Sequence, residues 1–173
     1  MHVEYRLVLP DESHEAEYMR VMDQWEALED NIQPELMRRG NTAYAKFLSW
    51  CADDRTTGSM LSTKVPASLH FLVSRENEIA GAVVINHTAT HRGHIHAGIV
   101  PWHRGKGYGT LQLRLALSIC AEMGMDVVQI VPNKDNAGAV QTILRNGGVL
   151  QEEFIEDGVC SQRYAIHLPR GEA

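Results

Sequence analysis

Apolar positions along the chain change period several times, and each change marks an element. VEYRLVLP (3–10) reads as a short strand closed by proline. From Asp11 to about Leu28, Tyr18, Met19, Met22, Trp25 and Leu28 recur at three- and four-residue spacing, which predicts an amphipathic helix with Asp11 or Ser13 as N-cap. Tyr44, Phe47, Leu48 and Cys51 predict a second helix over 42–53, and the aperiodic, turn-rich stretch 55–66 reads as a loop. SLHFLVSR (68–75) and EIAGAVVINHT (78–88) are strands joined by a hairpin at Glu76–Asn77, and GHIHAGIV (93–100) is a third.

The next stretch fits two periods. Leu111, Leu113, Leu115 and Leu117 alternate as in a strand, but the run exceeds ten residues and consists of Leu, Ala, Gln and Arg with few β-branched side chains. Leu111, Leu115 and Ile119 also line one helical side, so a broadly buried helix is predicted. DVVQIVP (126–132) is a β-branched strand, DNAGAVQTILRN (135–146) a helix with Ala139, Val140, Ile143 and Leu144 on its stripe, and Gly147 its terminator. Two final strands flank Asp157–Gly158, a strong hairpin pair. The order β-αα-βββ-α-β-α-ββ predicts an α/β or α+β domain, a mixed sheet flanked by helices.

Composition adds boundaries. The 173 residues suit one domain with a substantial core, and 44% hydrophobic with 22% charged residues is ordinary for a globular protein. No apolar run reaches the roughly 20 residues needed to span a bilayer, and no signal peptide is visible. Cys51, Cys120 and Cys160 are scattered and form no CxxC pair, which points to a reduced, cytoplasmic setting. A net charge of −6 argues against nucleic acid as partner. The acid is concentrated in residues 1–35, either as a solvated helix face or as a rim that attracts a cationic acceptor.

The chemistry is concentrated at VPWHRGKGYGT (100–110), where glycines alternate with cations between a strand and a helix. The first N–H groups of a helix have no internal partner, the macrodipole favours negative charge there, and glycine lets the backbone approach an oxyanion closely. A phosphate or pyrophosphate is the natural guest. Walker A fails because Gly107, not Ser or Thr, follows Lys106. The dinucleotide fingerprint fails because the spacing is Gly105-x-Gly107-x-Gly109, and Asp126 begins its strand rather than ending it.

Arg104-Gly-Lys-Gly107-Tyr-Gly109 resembles the [Q/R]-x-x-G-x-[G/A] signature of the GNAT N-acetyltransferases, and Ile99-Val-Pro101 resembles that family's V-x-P lead-in. Asn136, Ala139 and Gly147–Gly148 fit its second element. The resemblance covers roughly residues 66–168, the acetyl-CoA-binding core, and leaves 1–65 as the acceptor side of a single domain, 1–173. It implies a mostly antiparallel sheet splayed between its fourth and fifth strands, with the pantetheine of acetyl-CoA inserted there. Gly98, Ile99 and Val100 would bond the pantetheine, and an N–H among them would polarise the thioester carbonyl. Arg104, Gly105, Lys106, Gly107, Tyr108, Gly109 and Thr110 would hold the pyrophosphate, and Asn136 the pantetheine arm. Acetyl would pass directly to a primary amine of a small molecule or peptide. A longer acyl chain, or a non-catalytic CoA-binding module, are the alternative readings. Homodimers are common among relatives.

Two proton roles remain. The family's usual tyrosine acid falls at Ile143, which cannot donate, so Tyr108 or Tyr164 protonates the thiolate or it leaves unaided. His94-x-His96 resembles the proton route of arylalkylamine acetyltransferases, but counting back from Arg104 sets it one residue out of register. A bulge would restore it; otherwise these are satisfied structural histidines. His87 and His91 lack the Glu of HExxH, and no metal site is expected.

Overall fold

The computed structural model describes residues 4–38, 42–57 and 65–170. Its strands are β1 (Tyr5–Val8), β2 (Ala67–Ser74), β3 (Ile79–Thr90), β4 (Gly93–Ile99), β5 (Val127–Ile130), β6 (Val149–Glu156) and β7 (Val159–His167). Its helices are α1 (Glu15–Ala27), α2 (Tyr44–Thr57), α3 (Tyr108–Glu122) and α4 (Ala137–Arg145). A short 3₁₀ turn, Glu12–His14, precedes α1, with Asp11 as its cap: the carboxylate accepts from the Ser13 N–H at 2.8 Å. Helix α2 runs four residues past the end predicted from its apolar stripe, and part of the predicted 55–66 loop (58–64) lies outside the described residues.

β2 and the first eight residues of β3 are buried throughout, because helices cover both faces of the sheet. Alternation divides their side chains. Leu69, Phe71, Ala82 and Val84 face α1 and α2 with Tyr18, Trp25 and Phe47, whereas Val83 and Ile85 face α3 and α4 with Leu113, Ala116, Cys120 and Ile143. The helical reading of 110–122 holds for this reason: its leucines meet a sheet on one side and neighbouring helix surface on the other, so none needs to alternate outward.

The sheet order is β1-β2-β3-β4-β5-β7-β6, and every neighbouring pair is antiparallel. β4 joins β5 through the single pair Gly93 and Ile130. Along β3, in contrast, β4 keeps register from Gly81–Ile99 to Ile85–Ile95. The expected splay therefore lies between β4 and β5, leaving one edge of β4 without a strand partner from Ile95 to Ile99 among the described residues.

Candidate acyl-donor site at the splayed strands

Which backbone groups face that gap follows from one bond. Val100 N–H donates to Ala80 O at 2.9 Å. In an antiparallel ladder hydrogen-bonded pairs alternate with non-bonded ones. Gly98 and His96 therefore also turn their N–H and C=O toward β3, while Ile95, Ala97 and Ile99 turn theirs toward β5. Of the three residues expected to bond pantetheine, only Ile99 presents its backbone to the gap. Gly98 and Val100 are committed to β3, and Ala97, absent from the sequence-based set, takes the remaining place. The alternation was visible in the sequence; its phase was not, because that depends on the pairing with β3.

After β4 the chain makes a 3₁₀ turn, Pro101–His103, in which the Arg104 N–H donates to Pro101 O at 3.2 Å. Gly105 (φ +74°) and Gly107 (φ +87°) then adopt left-handed backbone, which side-chain-bearing residues rarely take. Gly107 is the N-cap of α3, with Leu111 N–H closing the first helical turn on its carbonyl at 3.2 Å. The N–H groups of residues 105–110 find no acceptor among the described residues. Lys106 is exposed beside them.

Arg104 differs from expectation. Its amide is spent in the 3₁₀ turn, and its guanidinium turns away from the loop to Asp30 (2.8 Å) and lies 5.9 Å from the centre of the Trp25 ring. Its Nε donates to Ile99 O at 3.1 Å. The residue ties the open edge of β4 to the segment between α1 and α2. Its charge is already paired, so Lys106 is left as the loop's own cation.

The sequence-predicted histidines separate. His94 is buried, and its Nδ1 accepts the Gln129 N–H at 2.9 Å, pinning β5 to β4 beside their one pair. His96 lies opposite Val84 and so shares the face of α1 and α2. Its ring is partly buried next to the Asn86 amide at 3.4 Å, and burial, then the Arg92 charge, lowers its pKa below the ordinary 6.5. The sheet irregularity near this pair lies on β3, between Ile85 and Thr90. His87 bonds the Ser68 hydroxyl at 2.7 Å and His91 pairs with Glu156, so neither converges on the gap.

The tyrosines are engaged elsewhere. Tyr164 is buried in the core against α4, and its hydroxyl donates to Gln162 Oε1 at 2.8 Å. Tyr108 packs on Tyr5 at 4.7 Å and on His103 at 5.7 Å, accepting from the Tyr5 hydroxyl at 3.3 Å. Ile143 is core, pressed against Gly148. Asn136 caps α4, its Oδ1 accepting the Ala139 N–H at 3.1 Å, which leaves the side-chain NH₂ for a ligand. Gln112, Asp30 and Gln33 also border the site and were missed in sequence. Only Gln112 carried a signal, as a polar residue inside an apolar helix.

The acetyltransferase (GNAT) family model matches residues 22–147. Among solved structures, the acetyl transferase from Salmonella typhimurium that modifies the N-terminal serine of ribosomal protein L7/L12 is 16% identical, with a TM-score of 0.67 and 95% of each chain covered. MccE, the microcin C7 self immunity acetyltransferase, solved in complex with acetyl-CoA and AMP, is 18% identical with a TM-score of 0.65, covering 95% of this chain and 93% of that one. The spermidine/spermine N-acetyltransferase SpeG from Vibrio cholerae is 14% identical, with a TM-score of 0.63 over 94% and 93% of the two chains. At these identities the likeness is one of fold. No curated protein matches the chain by sequence. The matched span holds both the glycine loop and the Asn136-capped helix, and the chain belongs to the GNAT acetyltransferase family.

Proposed function

We propose that this acetyltransferase takes its acetyl group from acetyl-CoA and delivers it to a primary amine. The observation that carries the reading is the row of unpartnered N–H groups at 105–110 adjoining the unpaired edge of β4. The two fit a diphosphate continued by an extended arm. Amides Gly105 to Thr110, with Lys106, hold the diphosphate. Ala97 and Ile99 bond the pantetheine as a neighbouring strand would, and the free NH₂ of Asn136 reaches its amides. When bound, acetyl-CoA supplies an acyl group activated as a thioester.

The chain's own part is electrostatic. The Ile99 N–H, fixed toward the gap, is the donor for the thioester carbonyl. The amine approaches from the α1/α2 face. An amine with a pKa near 10.4 must lose a proton before attack, and His96, on that face and held neutral by burial, accepts it. His94 serves to join β4 and β5. With Ile143 in the core and the Tyr164 hydroxyl donating to Gln162, the thiolate leaves without a tyrosine at the family's usual place. The acid-rich α1 region favours a cationic acceptor.

Thiol release from acetyl-CoA over a panel of monoamines, polyamines and peptides tests the reading. It predicts release above the hydrolysis background with at least one amine, an acetylated product by mass spectrometry, and slower turnover of a longer acyl-CoA. Binding of CoA without thiol release for any acceptor would overturn it in favour of a non-catalytic module.

A further inference from the structure

Gln112 lies in the middle of the LQLRLALSIC stretch of α3 and is 1% exposed. Burying an amide is unfavourable unless its polar atoms are bonded. Its Nε2 donates to Ala82 O at 3.1 Å and to Gly98 O at 3.3 Å, the carbonyls of one directly opposed pair of β3 and β4. That pair already exchanges its own backbone bonds, so the ladder does not require the side chain. The Oε1, meanwhile, has no partner. Space for the group comes from Gly81, where a Cβ would stand 2.6 Å from that oxygen. A leucine here would fill the helix–sheet contact without stranding an oxygen.

The site of the donation gives this unfavourable burial a purpose. Gly98 C=O and Ile99 N–H belong to one planar trans peptide and point in opposite directions, the carbonyl toward β3 and the N–H into the gap. A donor on the carbonyl draws electron density across the amide, and linked hydrogen bonds strengthen one another. The same peptide is held from the opposite face, where the Gln33 carbonyl lies against the Gly98 Cα. The next carbonyl, Ile99 O, is held by Arg104 Nε.

We propose that Gln112 is a positioning residue. Acting through the Gly98–Ile99 peptide, it orients the Ile99 N–H and strengthens it as the donor to the thioester carbonyl. The inference rests on the acetyl-CoA reading above. It assigns to the buried face of α3 a role in the acyl-transfer step that the glycine loop does not have.

The test is Gln112→Met, which keeps the length of the side chain and removes the amide. CoA itself has no acetyl carbonyl, so its affinity by calorimetry should stay within about twofold. kcat should fall about tenfold, less than the 10²–10³ typical of deleting an oxyanion donor outright. The carbonyl stretch of bound ¹³C-acetyl-CoA, read by difference infrared spectroscopy, should move back toward its value in solution. An unchanged stretch, or kcat within twofold of wild type, overturns the proposal. If Gln112→Met does not fold, Gln112→Asn withdraws the NH₂ by one methylene and should give the same signature, with the same results counting against it. A wild-type stretch equal to that of free acetyl-CoA overturns the proposal whatever the variants do. Failure of wild type to bind acetyl-CoA would instead remove the functional reading, and this proposal with it.

Discussion

At His70, burial outweighs every other influence on the ring. It sits on β2 with Nδ1 unpartnered, and burial, the largest influence, lowers its pKa from 6.5 to about 4. The folded pKa lies below the unfolded one, so the unfolded chain binds the extra proton first. Stability is therefore full above pH 6.5 and is lost as pH falls from there toward 4, by up to about 3 kcal/mol from this ring. His87, His94 and His96 are shifted in the same direction, so His70→Leu should blunt the acid loss rather than abolish it. Urea unfolding at pH 7, 5.5 and 4.5 checks this, and parallel curves for wild type and variant would contradict it. Burial likewise pushes the thiols of Cys51 and Cys120 up, to about 12 and about 11, consistent with inert core cysteines. What a residue does with its charge was the least legible part of the sequence. Arg104 reads as a phosphate ligand until Asp30 appears beside it, and that partner is brought near only by the packing of α1 on the sheet.

The turn between β4 and α3 was legible as an element, because strand, glycines and helix occur in order and only glycine readily takes the backbone angles found there. Gly107→Val would place a β-branched residue at φ +87° with open space around its Cβ. The obstacle is conformational, roughly 1–2 kcal/mol to hold left-handed backbone. The loop should relax away from its anion-binding shape while α3, anchored by Leu113, Ala116 and Leu117, stays in place. CoA affinity should fall at least about tenfold with a thermal midpoint within a few degrees of wild type. Unchanged affinity in a folded variant would contradict the assignment. Element identities elsewhere were also readable: the Asp157–Gly158 turn has both residues at positive φ, as an Asp-Gly hairpin should. Element ends were less so. β3 runs on to Thr90 through an irregularity that its pattern does not announce.

At the scale of the molecule, helices cover both faces of the central strands β2 and β3, the edge strand β6 is largely exposed, and the sheet is interrupted at one seam. The resemblance implied that seam between the fourth and fifth strands, but not which edge atoms it exposes. That depended on where β4 pairs with β3, and one bond, Val100 to Ala80, shifts the bonding edge from Gly98 and Val100 to Ala97 and Ile99. Gln33 and Asp30, which carry no family motif, lie against Gly98 and Arg104 respectively. The segment between α1 and α2 is thereby coupled to the seam by contacts between residues far apart in sequence, where periodicity and spacing give no guide. Among the described residues no helix is long and apolar enough to cross a membrane.

The proposed function requires the six amides of residues 105–110 to receive a diphosphate at the mouth of α3. Amide-resolved NMR titration with CoA measures this directly. The largest shifts should fall on Gly105, Lys106, Gly107, Tyr108, Gly109 and Thr110, and pantetheine without the diphosphate should leave these six signals in place. Saturable binding of CoA with the six unmoved would contradict it.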